Sequence, residues 1–299
     1  MRRIMTLAAA LLLFISSAFA QMSEQEKINR EIFNRTLSLV GEDYKLPMNE
    51  LVVKIGKSFI DTPYVGFTLE SEPEQLSVFL DKTDCILYVE MCTCLALTCK
   101  GLKIVQAGDG DVFSNRPAPS VERAMPSYEL FIHNVQNMRY RLGVVDGYAS
   151  RVHYTSEWLL QNATNGILYE FTSELGDRFD QKFNYMSTHP DSYKQLKNNE
   201  KEKSRIEAVE RHVEAQAPYF YISQEKLRDP EVMSRIHTGD IITFISPTYG
   251  LDLAHVAIAC EVDGQMHFLH ASSAGKKVML EPQTLAEYAK NGLRISRLR

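Results

Sequence analysis

Cys85, His255 and His270 are the residues of this 299-residue chain whose types and surroundings best suit a chemical reaction. A thiolate is a strong nucleophile, and a neighbouring imidazole can accept the proton of the thiol. Either Thr83 or Asp84 can serve as the N-cap of a helix that starts at Cys85. The unpaired N–H groups at a helix start lower the pKa of a thiol placed there. These residues therefore predict nucleophilic catalysis by cysteine, with histidine as the base.

The two histidines are expected to share one face of a β-hairpin. Asp263-Gly264 between two apolar runs is typical of a two-residue hairpin turn, and this turn fixes the register of the two strands. In that register Ala257 lies opposite His270, and His255 is a diagonal neighbour on the same face. Diagonal Cα atoms in a sheet are about 7–8 Å apart, which two imidazoles can bridge. We expect His255 to be the base and His270 to orient it.

A metal site is the alternative role for the two histidines, because imidazole is a common metal ligand. The chain contains no HExxH motif and no carboxylate at a spacing typical of a metal ligand, so we favour the catalytic role and expect no metal. The remaining cysteines are Cys92, Cys94, Cys99 and Cys260. They match no zinc-ligand pattern, and the sequence alone leaves open whether any of them form disulfides.

Apolar periodicity and turn residues predict a chain of both helices and strands. Ser23 and Glu26 form a capping-box pattern before the first helix. Residues 107–127 are rich in Gly, Pro, Ser and Asp and indicate a loop, with Gly-Asp-Gly-Asp at 108–111 as a turn. Residues 128–200 show no clear period. The predicted helices span 23–40, 47–59, 85–97 and 198–214, and the predicted strands span 240–245, 256–262 and 266–271.

The composition is typical of a globular protein, with 44% hydrophobic and 24% charged residues. The formal net charge of -5 gives the chain no basic excess, so we expect no nucleic-acid partner. After the first residues there is no apolar run of about 18 residues, the length that a polytopic membrane protein would need for each span.

The N-terminal residues are typical of a secretory signal peptide. Arg2 and Arg3 provide positive charge, residues 5–15 form a short apolar run, and Ala18-Phe19-Ala20 resembles a cleavage site. The apolar run is too short for a stable transmembrane anchor. We therefore expect a signal peptide over residues 1–20 and an exported protein of the periplasm or cell envelope, with no stable membrane span after cleavage.

Five short motifs follow one another in an order that resembles a known superfamily. They are Thr62-Pro63-Tyr64-Val65-Gly66, Asp84-Cys85, Gly239-Asp240, His255-Val256-Ala257-Ile258 and Leu269-His270-Ala271. Together they resemble the NlpC-type, papain-like cysteine peptidases and amidases that cut peptidoglycan stem peptides. The usual Asp-Cys-Ser-Gly and His-Val-Gly-Ile patterns differ here, since Ile86 and Leu87 replace Ser-Gly and Ala257 replaces Gly. These differences point away from the common γ-D-Glu–diamino-acid endopeptidases.

The middle of the chain is similar to one branch of that superfamily, described first as a domain of unknown function and associated with N-acetylmuramoyl-L-alanine amidase activity. The similarity lies in 146–148, 151–154, Trp158 and 184–193. The resemblance implies an α+β fold with a papain-like NlpC-type core, in which a helix bearing the cysteine packs on a small antiparallel sheet bearing two histidines. It implies a single catalytic domain over residues 21–299. The core would comprise 48–100 and 236–299, with an N-terminal helix at 23–40 and a substrate-shaping insertion at about 101–235.

The resemblance also implies a reaction and a set of site residues. Cys85 would attack the lactyl carbonyl of the muramoyl–L-alanine amide, and His255 would protonate the leaving amine. Tyr64 would help to stabilise the oxyanion or would be core packing. Asp84 stands in the site but suits a helix cap better than a catalytic acid. No cofactor is needed.

Four residues of the middle segment are candidates for binding the sugar or the carboxylates of the stem peptide: Arg151, His153, Tyr154 and Trp158. Guanidinium groups pair well with carboxylates, and aromatic rings stack on sugars. The alternative is that the aromatic residues are core and that Arg151 forms a structural ion pair. The expected partner is a peptidoglycan fragment in which a stem peptide is linked to a sugar, and the resemblance to this branch implies a 1,6-anhydro sugar. A γ-D-glutamyl-diamino-acid endopeptidase and a non-catalytic muropeptide-binding protein are the alternative functions.

Overall fold

The computed structural model describes residues 22–106 and 121–299. The predicted signal peptide and the predicted turn at 108–111 lie outside these residues. The helices are α1 (Glu24–Val40), α2 (Met48–Ser58), α3 (Cys85–Cys99), α4 (Tyr128–Arg139), α5 (Thr155–Thr164), α6 (Tyr185–Thr188), α7 (Glu200–Glu214), α8 (Pro230–Ser234) and α9 (Leu285–Tyr288). The strands are β1 (Leu102–Lys103), β2 (Glu122–Arg123), β3 (Leu168–Glu170), β4 (Asp177–Phe179), β5 (Tyr219–Tyr221), β6 (Ile241–Ile245), β7 (Leu253–Val262), β8 (Gln265–Ser272), β9 (Lys277–Leu280) and β10 (Leu293–Leu298). No helix within the described residues is long and apolar enough to cross a membrane.

The main sheet has the strand order β3-β10-β6-β7-β8-β9, and every pair in it is antiparallel. The Asp263-Gly264 turn joins β7 to β8, and both residues have a positive φ, as a tight hairpin turn requires. The strands that sequence analysis predicted are its central members. With helices on this antiparallel sheet, the fold is α+β, as predicted.

Helix α3 starts at Cys85 because Asp84 caps it. The Asp84 carboxylate accepts the backbone N–H of Leu87 at 3.0 Å, which satisfies one of the free donors of the first turn. From Leu87 to Cys99 every residue of the helix is buried, as expected for a helix that is apolar on all sides. It therefore lies inside the molecule, against α2, α4 and the β7–β8 hairpin.

The two faces of the β7–β8 hairpin belong to different hydrophobic clusters. Val256 and Ile258 pack in the cluster that contains α3. Ala257 and Ala259 pack on the other face, in a second cluster with Phe268. The cysteine helix thus covers one face of the sheet, and its first residue, Cys85, lies near the start of β7, beside Val256.

The middle segment contains two long helices, α4 and α5, and two short ones, α6 and α8, that sequence analysis did not predict. The two long helices show why the pattern was hidden. Their buried faces carry amide side chains among the apolar ones, and these disturb the helical period. Asn134 bonds the backbone of Ile104 and Leu102, and Asn162 bonds the backbone of Trp158. Strand β3 pairs with β10, so part of the segment expected as an insertion completes the main sheet.

Candidate active site

The histidine pair forms as the hairpin register predicts. Ile258 pairs with Leu269, which is the predicted register. His255 Nε2 lies 2.7 Å from His270 Nδ1, within hydrogen-bond distance. Two nitrogens that face each other this closely leave no room for a metal ion between them, because each Zn–N bond alone needs about 2.0–2.1 Å. The two rings therefore contact each other directly through these nitrogens, with no ion between them.

Glu281 extends this pair, and sequence analysis missed it. Its Oε2 atom lies 3.3 Å from His270 Nε2, and the carboxylate and the imidazole are both buried. Glu281 follows β9, whose pairing with β8 brings it beneath His270. The distance of eleven positions from His270 matches no short motif, so only the pairing of β8 with β9 reveals the contact.

Cys85 is the first residue of α3 and is half-buried. Its thiol lies beside the backbone N–H of Val256, the residue that follows His255. Burial, followed by the negative charge of Asp84, raises the pKa of the Cys85 thiol to about 12. The N–H groups of the helix start act in the predicted direction, but burial outweighs them, so the expected low pKa is not found. In the free protein the thiol is protonated at neutral pH.

The imidazole of His255 is also neutral. Burial, with a smaller contribution from the neighbouring His270, lowers the pKa of His255 to about 3. Its ring stacks on Phe244, at a centroid distance of 5.7 Å, and meets the ring of His270 edge-on. A neutral imidazole is the form that can accept a proton from the thiol. The resting site therefore combines a protonated thiol with an uncharged base.

Tyr64 and Asp84 both lie beside Cys85. Tyr64 forms a backbone bridge to Thr83, which places it next to the start of α3. Burial, then the nearby Cys85 and Asp84, raises the pKa of the Tyr64 hydroxyl. Tyr64 is half-buried and can serve as a donor, whereas the Asp84 carboxylate is engaged as the helix cap.

The aromatic candidates of the middle segment are buried, with their polar atoms bonded inside the protein. Trp158 donates its indole N–H to Glu90 at 3.1 Å, and Tyr154 donates its hydroxyl to Glu210 at 2.7 Å. Each is only 2% exposed, so neither ring offers a free face on which a sugar could stack. A sugar therefore cannot stack on either ring in this structure, because both rings are buried in the core.

Arg151 and His153 also have internal partners. The guanidinium of Arg151 lies within 3.2 Å of both Glu70 and Glu74, so its charge is already balanced. The Nε2 atom of His153 lies 2.8 Å from the carbonyl of Tyr148. Burial, then the charge of Arg151, lowers the pKa of His153.

Two cavities adjoin the site. The larger, of about 360 Å³, contains His255 and His270 and is bounded by Tyr288 and by the loop at 272–274. The smaller, of about 120 Å³, starts at the first turn of α3 and is lined by Arg151, His153, Tyr154 and Trp158 among others. The structure thus brings the four middle-segment candidates together around one cavity, and neither His255 nor His270 lines it.

Comparisons with known proteins identify solved structures that are similar to this chain. A crystal structure of an N-acetylmuramoyl-L-alanine amidase from Bacteroides uniformis is 30% identical, with a TM-score of 0.70, over 84% of this chain and 99% of that one. A Bacteroides fragilis protein, provisionally described as a xylanase, is 33% identical with a TM-score of 0.65, over 81% and 98% of the two chains. A Legionella pneumophila protein of 19% identity and TM-score 0.63, covering 92% and 97%, shares the fold. No curated protein matches the chain.

A family model described as AmiA-like, N-acetylmuramoyl-L-alanine amidase-like, matches residues 54–294. This range contains Tyr64, the cysteine helix, the middle segment and the histidine hairpin. The match and the similar Bacteroides uniformis amidase support an amidase-like hydrolase. The chain belongs to the AmiA-like, N-acetylmuramoyl-L-alanine amidase-like family.

Proposed function

We propose that this protein is an exported cysteine amidase that hydrolyses the N-acetylmuramoyl–L-alanine bond of peptidoglycan fragments. The observation that supports it most directly is Cys85 at the start of a buried helix, beside the strand that carries His255, with His270 bonded to that histidine. Membership of the family supports the choice of the amide bond that is cleaved, and this geometry supports Cys85 as the nucleophile and His255 as the base. We also propose that the core is of the papain-like NlpC type and that residues 1–20 direct export to the periplasm or cell envelope.

In the acylation step the sulfur of Cys85 attacks the lactyl carbonyl carbon of the muramoyl group. The thiol proton passes to His255 as the S–C bond forms, because both groups are neutral at rest. The oxyanion receives N–H donors at the start of α3, and Tyr64 is placed to add its hydroxyl. His255 then gives its proton to the L-alanine nitrogen and the C–N bond breaks. The stem peptide leaves, and the muramoyl group remains bound to Cys85 as a thioester.

Hydrolysis of the thioester reverses these roles. Water attacks the same carbonyl carbon while His255 takes one of its protons. The C–S bond breaks, the muramoyl carboxylic acid leaves, and the proton returns to the sulfur of Cys85. His270 holds the imidazole in place through both steps, by the 2.7 Å contact between the rings.

Mass spectrometry of reaction products tests this proposal. We expect the wild-type protein to convert a disaccharide–tetrapeptide into intact disaccharide and intact tetrapeptide. We expect the Cys85→Ala variant to release neither product. Both the 1,6-anhydro and the reducing form of the sugar should be supplied, since the amide is common to both. Loss of the nucleophile leaves no group that could form the thioester, so turnover should fall to the level without enzyme.

Cys99→Ala is the matched control. Cys99 lies at the other end of the same helix and is buried, so the same change of thiol to methyl should leave the products unchanged. Products cut within the stem peptide would instead identify an endopeptidase. Binding of the fragment without turnover would identify a muropeptide-binding protein.

A further inference from the structure

The hydrogen bond between the two histidines can be made in two ways, and these differ in whether His255 can act as a base. If His255 Nε2 carries the proton, it donates to His270 Nδ1, and the lone pair of His255 remains on Nδ1. If His270 Nδ1 carries the proton instead, His255 must hold its own proton on Nδ1 and can no longer accept one there. The two arrangements have the same heavy-atom positions, so a third group must select between them.

Glu281 is the group that makes this selection. Its Oε2 lies 3.3 Å from His270 Nε2, a buried nitrogen that forms no hydrogen bond with the described residues, so the contact acts through charge. An ionised carboxylate attracts an N–H and repels a nitrogen lone pair, since it can only accept hydrogen bonds. It therefore favours a proton on Nε2 of His270, which leaves Nδ1 of that ring as an acceptor. His270 Nδ1 then accepts from His255 Nε2, and the lone pair of His255 lies on its outer nitrogen. The opposite arrangement would set two lone pairs against each other at Glu281.

Glu281 is held in position through both its side chain and its backbone. Its other carboxylate oxygen, Oε1, accepts the backbone N–H of Gln283 at 3.2 Å, and the backbone N–H of Glu281 donates to the carbonyl of Phe268 at 2.9 Å. Glu281 is 7% exposed and His270 is 1% exposed. A carboxylate fixed in this way beside a buried imidazole interacts strongly with it, because little water screens the contact.

We propose that Glu281 is a positioning residue, which selects through His270 the tautomer of His255 that accepts the Cys85 proton. This inference rests on the proposed roles of Cys85 and His255. It adds a fourth member to the site, one step further from the reacting sulfur. The same chain of contacts stabilises the His255 imidazolium that forms during the reaction, because its Nε2–H donates towards a ring that is itself held by an anion.

The test compares Glu281→Leu and Glu281→Gln with the wild type. Leu removes the acceptor, and Gln keeps the shape but can also donate to His270 Nε2, so it no longer selects one tautomer. Long-range proton–nitrogen NMR of the histidine rings should show His270 protonated on Nε2 and His255 on Nε2 in the wild type. In both variants we expect the protons to be shared between the nitrogens of each ring.

The kinetic expectation is a fall in kcat on the order of 10- to 100-fold in the Leu variant, with a smaller fall in the Gln variant and KM changed by less than about twofold. Glu261→Gln is the matched control, since Glu261 is an exposed carboxylate near the turn of the same hairpin. It should leave both the ring tautomers and kcat as in the wild type. If Glu281→Leu does not fold, the Gln variant decides.

Unchanged tautomers in a folded Glu281 variant, or a kcat within about twofold of the wild type, would overturn the positioning role. The ring spectra need no substrate. Failure of the wild type to cleave muropeptides would therefore count against the proposed amidase function, while the spectra would still report on Glu281.

Discussion

Cys85 is subject to opposing influences, and burial determines the result. The helix start and the N–H of Val256 favour the thiolate, whereas burial and the charge of Asp84 favour the thiol. With the pKa of the thiol at about 12 and that of His255 at about 3, transfer of a proton between them at rest is unfavourable. The site therefore resembles a serine–histidine pair in its protonation, with proton transfer occurring during attack.

Alkylation of Cys85 should follow from this protonation. We expect iodoacetamide to react slowly with the native protein at pH 7, and the rate to rise about tenfold per pH unit as the thiolate fraction grows towards pH 12. Asp84→Asn should speed the reaction at pH 8, because removing the negative charge lowers the pKa of the thiol. Asn is also a good N-cap, so the helix start is kept. The rates are measured by mass spectrometry of the labelled peptide.

Asp81→Asn is the control for this change. Asp81 is a carboxylate close in sequence that pairs with Gln25 and Lys82 and does not act on the thiol, so its variant should react at the wild-type rate. Cys85→Ala gives the background from the buried cysteines. A rate that is already at its plateau at pH 7 would show a preformed thiolate and would contradict the expected pKa.

At the scale of elements, α3 is tied to α4 and α5 by one buried charged cluster. Glu90 of α3 accepts the Nε–H of Arg139 at 2.9 Å with one oxygen and the indole N–H of Trp158 at 3.1 Å with the other. Both members of the ion pair are more than nine-tenths buried. The pair holds the cysteine helix against two of the helices that the sequence pattern did not predict.

Breaking this pair from one side should be costly. We expect Arg139→Gln to lower the free energy of unfolding by about 3–5 kcal/mol, because it leaves the charge of Glu90 buried without its partner. The double variant Glu90→Gln/Arg139→Gln should cost less than the sum of the two single variants, since no charge remains to be desolvated. Urea unfolding of the wild type, the two single variants and the double variant measures the coupling between the two side chains as a double-mutant cycle. Additive effects would show that the two side chains do not depend on each other.

At the scale of the whole molecule, Arg294 joins the last strand of the sheet to the middle segment. Its guanidinium makes two hydrogen bonds of 2.7 Å to Glu170 on β3 and one of 2.6 Å to Ser156 on α5. Arg294 itself is 2% exposed. This contact connects residues that are 124 and 138 positions apart, so it links the two parts of the chain around the sheet edge.

Removing this connection should loosen the middle segment. We expect Arg294→Met to lower the free energy of unfolding by about 2–4 kcal/mol, less than for a fully buried pair because Glu170 is partly exposed. Amide hydrogen exchange should rise in α5 and β3, which lose a buried contact. Arg235→Met, which removes an exposed pair with Glu174, should change stability by less than about 0.5 kcal/mol. Equal effects of the two variants would contradict this role for Arg294.

Much of the site could be predicted from the sequence alone, because its main parts are determined locally. The Asp263-Gly264 turn sets the register that brings His255 and His270 together, and Asp84 starts the helix at Cys85. The predicted helices and strands outside the middle segment are all present. Most of their ends lie within one or two residues of the predicted positions. Each of these features depends on residues only a few positions apart, and such short-range preferences are legible in a single sequence.

Tertiary structure alone determined the rest. The contact of Glu281 with His270 requires β9 to pair with β8, and the pKa of Cys85 depends on how fully α3 is buried. Tyr154 and Trp158 are residue types that often line sugar-binding surfaces, but packing places both of them in the core. Burial and long-range pairing arise from elements far apart in the chain, and these decide which groups meet solvent, which meet each other, and which proton each one holds.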